Sequence, residues 1–347
     1  MSCAVVLGGT GQVGRAVASR LLAAGWEVTL TGRDPAKMPA ELAAAGVRFV
    51  EGDRSDPGHL AAALGRGADL LVDNVCYTAE QARLLARLLG QVGSTVMLSS
   101  KAVYVDGNGN HSNSDVRPDF GGPISESQPT MAPGDMPYDS REGYGANKVA
   151  AEQVLLDSGL PVTVIRPSKV HGAGAARPRE WHFVKRVLDR RTAVFLAHRG
   201  EGADHPTAAA NIAALVEVAA AQPGRRVLNC ADPDTPNGLE ISRTIARQLG
   251  HEWEEVLVDG DEPGSHPWDV LPPIVLDMAA AAALGYVPAG DYATTVTEEI
   301  DWLVESGAPP DAEFFASSFD YAAEDRYLSA IGRPTTSASR SSGSTVA

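Results

Sequence analysis

The first two dozen residues constrain this chain most. Ala4-Val5-Val6-Leu7 is a short apolar run, and Gly8-Gly9-Thr10-Gly11-Gln12-Val13-Gly14 follows it directly. From Val13 to Ala24 the pattern is helical, with Val13, Val17, Leu21 and Leu22 on one side. A buried strand that runs through a glycine turn into a helix opens a parallel α/β unit. Gly9, Gly11 and Gly14 satisfy G-x-G-x-x-G, while Gly8, Gly11 and Gly14 satisfy G-x-x-G-x-x-G. Glycines at these places allow a tight turn and let backbone N–H groups approach a pyrophosphate at the helix N-terminus. Residues Gly8, Gly9, Thr10, Gly11, Gln12, Val13 and Gly14 are therefore expected to hold a dinucleotide. An ordinary strand-to-helix turn is the bland alternative.

The same rhythm continues. Strands are predicted at Glu27 to Thr31, Val47 to Glu51, Leu70 to Asp73, Val96 to Ser99 and Pro161 to Ile165. Helical patterns separate most of them, including Ala79 to Leu89 and Tyr144 to Leu156. Alternation of this kind predicts an α/β fold with a Rossmann-type, doubly wound parallel sheet. Ligands of such sheets bind beyond the carboxyl ends of the strands. The glycine turn, Asp53, Asn74 and Ser100 all fall at such ends.

Cofactor choice is expected at the second strand, which ends in Gly32-Arg33-Asp34. An acidic residue about 20 positions past the glycines holds the ribose of NAD, whereas an Arg accommodates the 2′-phosphate of NADP. Asp34 has the spacing for the first role but precedes Pro35, where it can cap a following helix instead. Gly32 leaves room at the strand tip and Arg33 offers a planar charged fork. NADP is the expected cofactor and NAD the alternative.

The chemistry is expected from Tyr144 and Lys148 in Tyr-Gly-Ala-Asn-Lys. Residues four apart on a helix share a face. An ammonium beside a phenol favours the phenolate, which suits the phenol to exchange protons near neutral pH. Alone, this pair is a weak signal; its place after the fifth strand gives it weight.

Taken in order, these motifs resemble the extended short-chain dehydrogenase/reductases, which include NAD(P)-dependent epimerases and dehydratases. The residues that carry the resemblance are the Gly8 to Gly14 turn, Asp53, Ser100 before Val103-Tyr104, the Tyr144/Lys148 pair, and Arg166-Pro167. The resemblance implies that Tyr144 is the acid/base and that Ser100 orients the substrate oxygen. It implies that Lys148 holds the nicotinamide ribose and lowers the Tyr144 pKa. It also implies that Asp53, with Arg54 beside it, contacts adenine. Asn74 joins the cofactor set by its place at a strand end. The implied reaction is hydride transfer to or from a secondary alcohol or ketone carbon of a small molecule. An NADPH-dependent ketoreductase is the main expectation. A sugar or sugar-nucleotide epimerase is the alternative, and a non-catalytic dinucleotide sensor or RNA-associated member is a further one.

Some positions depart from the family pattern. Lys101-Ala102 stands where nucleotide-sugar 4,6-dehydratases carry an Asp-Glu pair, so no carboxylate is there to eliminate water. Asn211 stands where the family has an aspartate, and the aromatic-rich stretch of many sugar-nucleotide enzymes is missing. The long connection from Val105 to Gly143 joins the catalytic strand to the catalytic helix, and a lid or substrate-contacting loop is expected there. Cys76, Tyr77, Lys101 and Tyr138 are candidate substrate contacts, although Cys76 also suits a buried apolar role.

Composition bounds the rest. A net charge of −15 opposes binding to nucleic acid, which rests on phosphate neutralisation. Three scattered Cys suggest a reducing compartment, and no spacing suggests a metal. The strand begins at once and no apolar run is long enough to span a bilayer, so neither a signal peptide nor a membrane partner is expected and a cytoplasmic location is the default. A small-molecule substrate is the expected partner, and a homodimer is allowed. Residues 1–167 are expected to form the dinucleotide domain. Residues 168–332 are expected to form mostly a smaller substrate lobe, with segments such as Val227-Leu228-Asn229 returning to the sheet. Residues 333–347, rich in Ser and Thr, are expected to be a disordered tail.

Overall fold

A computed structural model describes residues 2–261 and 263–333. The expected tail lies, apart from Arg333, outside the described residues. The strands are β1 (Cys3–Leu7), β2 (Glu27–Gly32), β3 (Arg48–Glu51), β4 (Ala68–Asp73), β5 (Val92–Leu98) and β6 (Val162–Pro167). They continue with β7 (Lys169–His171), β8 (Ala193–Leu196), β9 (Pro206–Ala208), β10 (Arg226–Cys230) and β11 (Glu254–Leu257). The α-helices are α1 (Gln12–Ala23), α2 (Ala40–Ala44), α3 (Pro57–Leu64), α4 (Ala79–Ala86), α5 (Arg141–Leu156) and α6 (Trp181–Leu188). After them come α7 (Ala209–Ala221), α8 (Gly238–Gln248), α9 (Ala279–Ala283), α10 (Tyr292–Thr295), α11 (Thr297–Ser306) and α12 (Tyr321–Ala330).

The chain divides into two compact units. The first comprises the described residues up to Gly174, with His205–Thr235 and Ile274–Val296. Its seven-stranded sheet has the order β10-β6-β5-β4-β1-β2-β3. Every pairing in it is parallel. The fold is thus the expected Rossmann-type α/β sheet, with Val227 to Asn229 returning to it as part of β10. After β1 the chain moves to β2 on one side, and β4 lies on the other, so the switch point falls between β1 and β4. Register places Leu7 opposite Thr31 and Asp73, and Asp73 opposite Met97. The carboxyl ends of β1, β2, β4 and β5 therefore share one edge.

Strand periodicity divides the core. Ala4 and Val6 face the cluster built on α1 and α7, with Val17, Leu21, Ile212 and Leu215. Val5 and Leu7 face the opposite cluster, with Leu60, Leu85, Ala151 and Leu155 from α3, α4 and α5. Two buried apolar layers, one on each face, account for the near-continuous apolar strands read from the sequence.

The second unit comprises Ala175–Asp204, Pro236–Pro273 and the described residues from Thr297. Here β8 and β11 form a parallel pair, and Phe195, Val256 and Leu328 share a core. Arg186 and Arg191 both bond buried Glu324, at 2.8 and 3.1 Å. No helix among the described residues is long and apolar enough to cross a membrane.

Candidate functional site

The glycine turn is shaped by packing at three of its glycines and by open space at the fourth. Gly8 has φ +70°, where an L side chain is strained, and a Cβ there would lie 2.7 Å from Val75 Cγ1. A Cβ on Gly9 would meet Leu30 at 2.6 Å, and one on Gly14 would meet Gly8 O and Gly9 Cα at 2.6 Å. On Gly11 it would meet nothing closer than Gly8 O at 3.7 Å. Gly11 is also the N-cap of α1, and no side chain caps that helix end. Thr10 gives its carbonyl to Arg15 Nε at 2.9 Å, and Val13 is buried in the core. The side-chain oxygens of Gln12 and Asn74 are buried without a hydrogen-bond partner, while Asn74 Nδ2 donates to Leu7 O at 3.1 Å. An uncapped helix N-terminus beside an open glycine and two orphaned acceptors suits an anionic, hydroxyl-bearing ligand. The residues present therefore fit a dinucleotide.

At the tip of β2, Gly32 is closely packed. A Cβ there would lie 3.2 Å from the Phe49 ring and 3.5 Å from Thr10, so the glycine leaves room for Phe49. Arg33 is exposed and hydrogen-bonds to none of the described residues. Asp34 accepts from Ala36 N at 3.0 Å and caps the short turn Pro35–Lys37, the structural role read from its proline neighbour. Asp53 is exposed at the end of β3 and accepts from Ser55 N at 2.7 Å. That bond holds its carboxyl below the ordinary range, against the effect of burial, with help from the Ser55 side chain, Arg33 and His59. Arg54 is a correction. Its guanidinium turns inward to Asp73, a carboxylate at the end of β4, and to Gln81 O at 3.1 Å. Burial disfavours its charge, but Asp73 outweighs that and raises its pKa. Arg54 fastens the segment after β3 to the end of β4 and to α4.

The catalytic candidates meet where α5 crosses the ends of β4 and β5. Ser140 caps α5 by accepting from Gly143 N at 3.0 Å, and the helix then runs through Tyr144 and Lys148. Lys148 is buried, and its Nζ donates to Cys76 O and Leu98 O, both at 2.9 Å. Burial lowers its pKa, opposed by Tyr77, Cys76, Asp73 and Glu152. The Tyr77 ring lies beside it, with Nζ 4.4 Å from the ring centroid. Tyr77 in turn stacks on Tyr138 at 5.1 Å and 19°. Burial raises the Tyr77 pKa; Lys148 opposes the rise, and Tyr144 and Tyr138 add to it. The structure thus brings Tyr77, Tyr138, Tyr144 and Lys148 into one electrostatic group, and Tyr144 is half-buried within it.

Ser100 reaches the same place from β5. Its Oγ accepts from Ala102 N at 3.1 Å and caps the short turn Lys101–Val103. The hydroxyl proton is left to donate. A Cβ on Gly145 would fall 2.4 Å from Ala102 O, so α5 lies directly on this turn. Glycine immediately after Tyr144 is therefore what lets the serine turn and the tyrosine helix meet. Beneath them runs a buried network. Ser99 Oγ donates to Glu152, Arg166 pairs with both Glu152 oxygens at 3.0 and 2.5 Å, and Arg166 lies 4.9 Å from the Tyr104 ring centroid. Tyr104 OH donates to Asn229 Oδ1 at 2.6 Å, and burial pushes its pKa up to about 12 against the pull of Arg166.

Two more expectations need correction. The Cys76 thiol is in the core, its pKa pushed up to about 12 by burial, and its contribution to the site is its carbonyl. Lys101 is buried next to His205, which burial holds below the ordinary imidazole range with the Lys101 charge adding to the effect. Both side chains are therefore held inside the first unit. Asn211 is a tie within the first unit: it donates to Asp232 at 2.8 Å and to Gly290 O at 2.9 Å. Asp73, Glu152 and the carbonyl of Leu98 were missed. Only Asp73 carried a signal, as a charge inside an apolar run. The loop from Val105 to Gly143 is held by bonds within it and to the turn that precedes it. Asp106 accepts from Asn108 N, Asn110 N and Asp119 N at 2.8 to 3.0 Å, and Met131 N donates to Val103 O at 2.8 Å.

The family model of the NAD dependent epimerase/dehydratase family matches residues 4–203. A comparison with curated proteins finds no match. Among solved structures, the fold is similar to dTDP-glucose 4,6-dehydratase from Bacillus anthracis str. Ames in complex with NAD. That likeness has TM-score 0.67 and 15% identity, and covers 88% of this chain and 97% of that one. It is also similar to UDP-glucose 4-epimerase from Thermotoga maritima with UDP-glucose, with TM-score 0.66, 16% identity and coverage of 88% and 99%. A third is UDP-glucuronic acid 4-epimerase from Bacillus cereus with UDP-glucuronic acid and NAD, with TM-score 0.63, 15% identity and coverage of 88% and 99%. At these identities the likeness is one of fold.

Proposed function

The chain belongs to the NAD dependent epimerase/dehydratase family, and from that premise we propose an NAD(P)-dependent enzyme that epimerises a secondary carbinol centre of a sugar or sugar nucleotide. The observation that carries this reading is the Tyr144–Lys148 face, with the lysine ammonium fixed by Cys76 O and Leu98 O. The glycine turn supports it, because Gly11 leaves the end of α1 open to a pyrophosphate. When bound, the nicotinamide supplies a reversible hydride acceptor.

In this reading Tyr144 takes the proton from the substrate hydroxyl at its Oη and returns it after the carbon has been presented from its other face. Ser100 donates a hydrogen bond to the same substrate oxygen. Lys148 fixes a positive charge beside the phenol, and Gly8 to Gly14, Asp53 and Asn74 orient the cofactor. Holding the groups in register supplies most of the rate, with proton transfer adding about 10²–10⁴. Elimination of water is disfavoured, because Lys101-Ala102 offers no carboxylate beside Ser100.

The test is to incubate the enzyme with NAD and a panel of nucleotide-diphosphate hexoses and to follow inversion by proton NMR. Inversion without accumulation of reduced cofactor is expected. Stoichiometric NADPH consumption with a ketone, and no inversion, would replace this reading with an NADPH-dependent ketoreductase. That second reading is favoured by one observation, the exposed Arg33 guanidinium just past the end of β2, which makes no hydrogen bond among the described residues.

A further inference from the structure

An ammonium has three N–H donors. In Lys148 two of them go to carbonyls, one from the segment after β4 and one from the end of β5. The Tyr77 ring lies against this ammonium, with its centroid 4.4 Å from Nζ. Tyr77 is itself doubly held. Its backbone N–H donates to Gln81 Oε1 at 2.7 Å, and its ring stacks on Tyr138, which belongs to the loop leading into α5. One aromatic ring therefore joins the β4 edge, the loop and the catalytic helix.

We propose that Tyr77 is a positioning residue, whose ring face packs against the Lys148 ammonium, leaving its third N–H for the cofactor, and, through Tyr138, ties the loop before α5 to the catalytic lysine. The inference rests on the reading that Lys148 serves Tyr144. A ring face attracts a cation through its quadrupole, and the attraction strengthens when water is excluded. Tyr77 thus acts through Lys148 and needs no contact with substrate. The groups around Lys148 are Tyr77, Cys76 and Asp73 from the β4 edge, Leu98 O from β5, and Glu152 and Tyr144 from its own helix. Exchanging the Tyr77 ring leaves all the others in place.

The experiment uses the full chain labelled with carbon-13 at lysine Cε. The lysines are Lys37, Lys101, Lys148, Lys169 and Lys185, and the Lys148 signal is assigned by its loss in Lys148→Met. Its titration is followed in wild type, Tyr77→Phe and Tyr77→Leu. Phenylalanine keeps the ring face, whereas leucine fills space without one. The Tyr77→Phe midpoint is expected to match wild type. The Tyr77→Leu midpoint is expected to fall by about 0.5 to 1.5 pH units, the range a desolvated cation–π contact supplies. Should Tyr77→Leu fail to fold, Tyr77→Met gives the same readout. A midpoint in the apolar variant equal to or above wild type, or an equal fall in Tyr77→Phe, would overturn the proposal. A companion titration of wild type with NADH and NADPH separates the two claims: absence of binding there contradicts the enzyme reading, while the lysine titration still decides the role of Tyr77.

Discussion

The glycine turn and the Tyr144–Lys148 face reach a fixed geometry by opposite means. The turn is a backbone object, crowded at Gly9 and Gly14 by Leu30 and by its own main chain, and open only at Gly11. The helix face is made of side chains, and its partners lie 72 and 50 residues away, at Cys76 and Leu98. A backbone site has no group to delete and fails when it is filled. A side-chain site can lose one group while its frame stands. Chemistry and folding should therefore come apart on the helix face, but only at one glycine of the turn.

The largest expected effect is on chemistry. Tyr144→Phe should lower turnover by about 10²–10⁴ while NADH affinity, read by fluorescence, stays within about twofold. A parallel loss of affinity would show that the face cannot be separated from its frame. Next is the frame itself. Glu152→Ala strands the buried Arg166 guanidinium and should cost about 3–5 kcal/mol, read as a lower urea midpoint. In the turn, Gly14→Ala forces a Cβ into main-chain atoms and should cost about 1–3 kcal/mol, whereas Gly11→Ala should leave the melting temperature unchanged and weaken NADH binding by about tenfold or more. If both alanines act alike, the contrast between packed and open glycines is mistaken.

The smallest effect concerns the loop that leads into α5. Asp106 is held at about 2 by backbone donors from Asp119, Asn110 and Asn108, which outweigh the burial effect. A carboxyl whose folded pKa lies below its unfolded value of about 3.9 stabilises fully above that value and loses its contribution as pH falls toward about 2. Amide exchange in residues 106–119 should therefore quicken in that window, and Asp106→Asn should already show the faster exchange at neutral pH.

How much of this was legible in the sequence follows the same contrast. The sheet, its helices and the turn were readable because each is local: an apolar run, a glycine spacing, a 3.6-residue period. The Tyr144/Lys148 spacing was readable for the same reason. The partners of Lys148 were not, because a carbonyl acceptor leaves no mark in residue type and the fold alone decides which one arrives. Arg54 shows the converse. Its place beside Asp53 pointed to the cofactor, yet the pull of buried Asp73 turned it inward. Gly32 packs against Phe49 from the neighbouring strand, a partner that residue type alone does not reveal. The long loop read as a lid because of its length and its prolines, and nothing in that composition showed that Asp106 gathers its donors.

The central claim is that the glycine turn and the Tyr144–Lys148 face address one bound dinucleotide. A crystal structure of the protein grown with NAD tests this most directly. The account predicts the pyrophosphate against the N–H groups at the start of α1, the adenine near Asp53, and the nicotinamide facing the Tyr144 hydroxyl, with Lys148 at the adjoining ribose. A dinucleotide bound elsewhere, or a Tyr144 hydroxyl turned away from the ring, would contradict it.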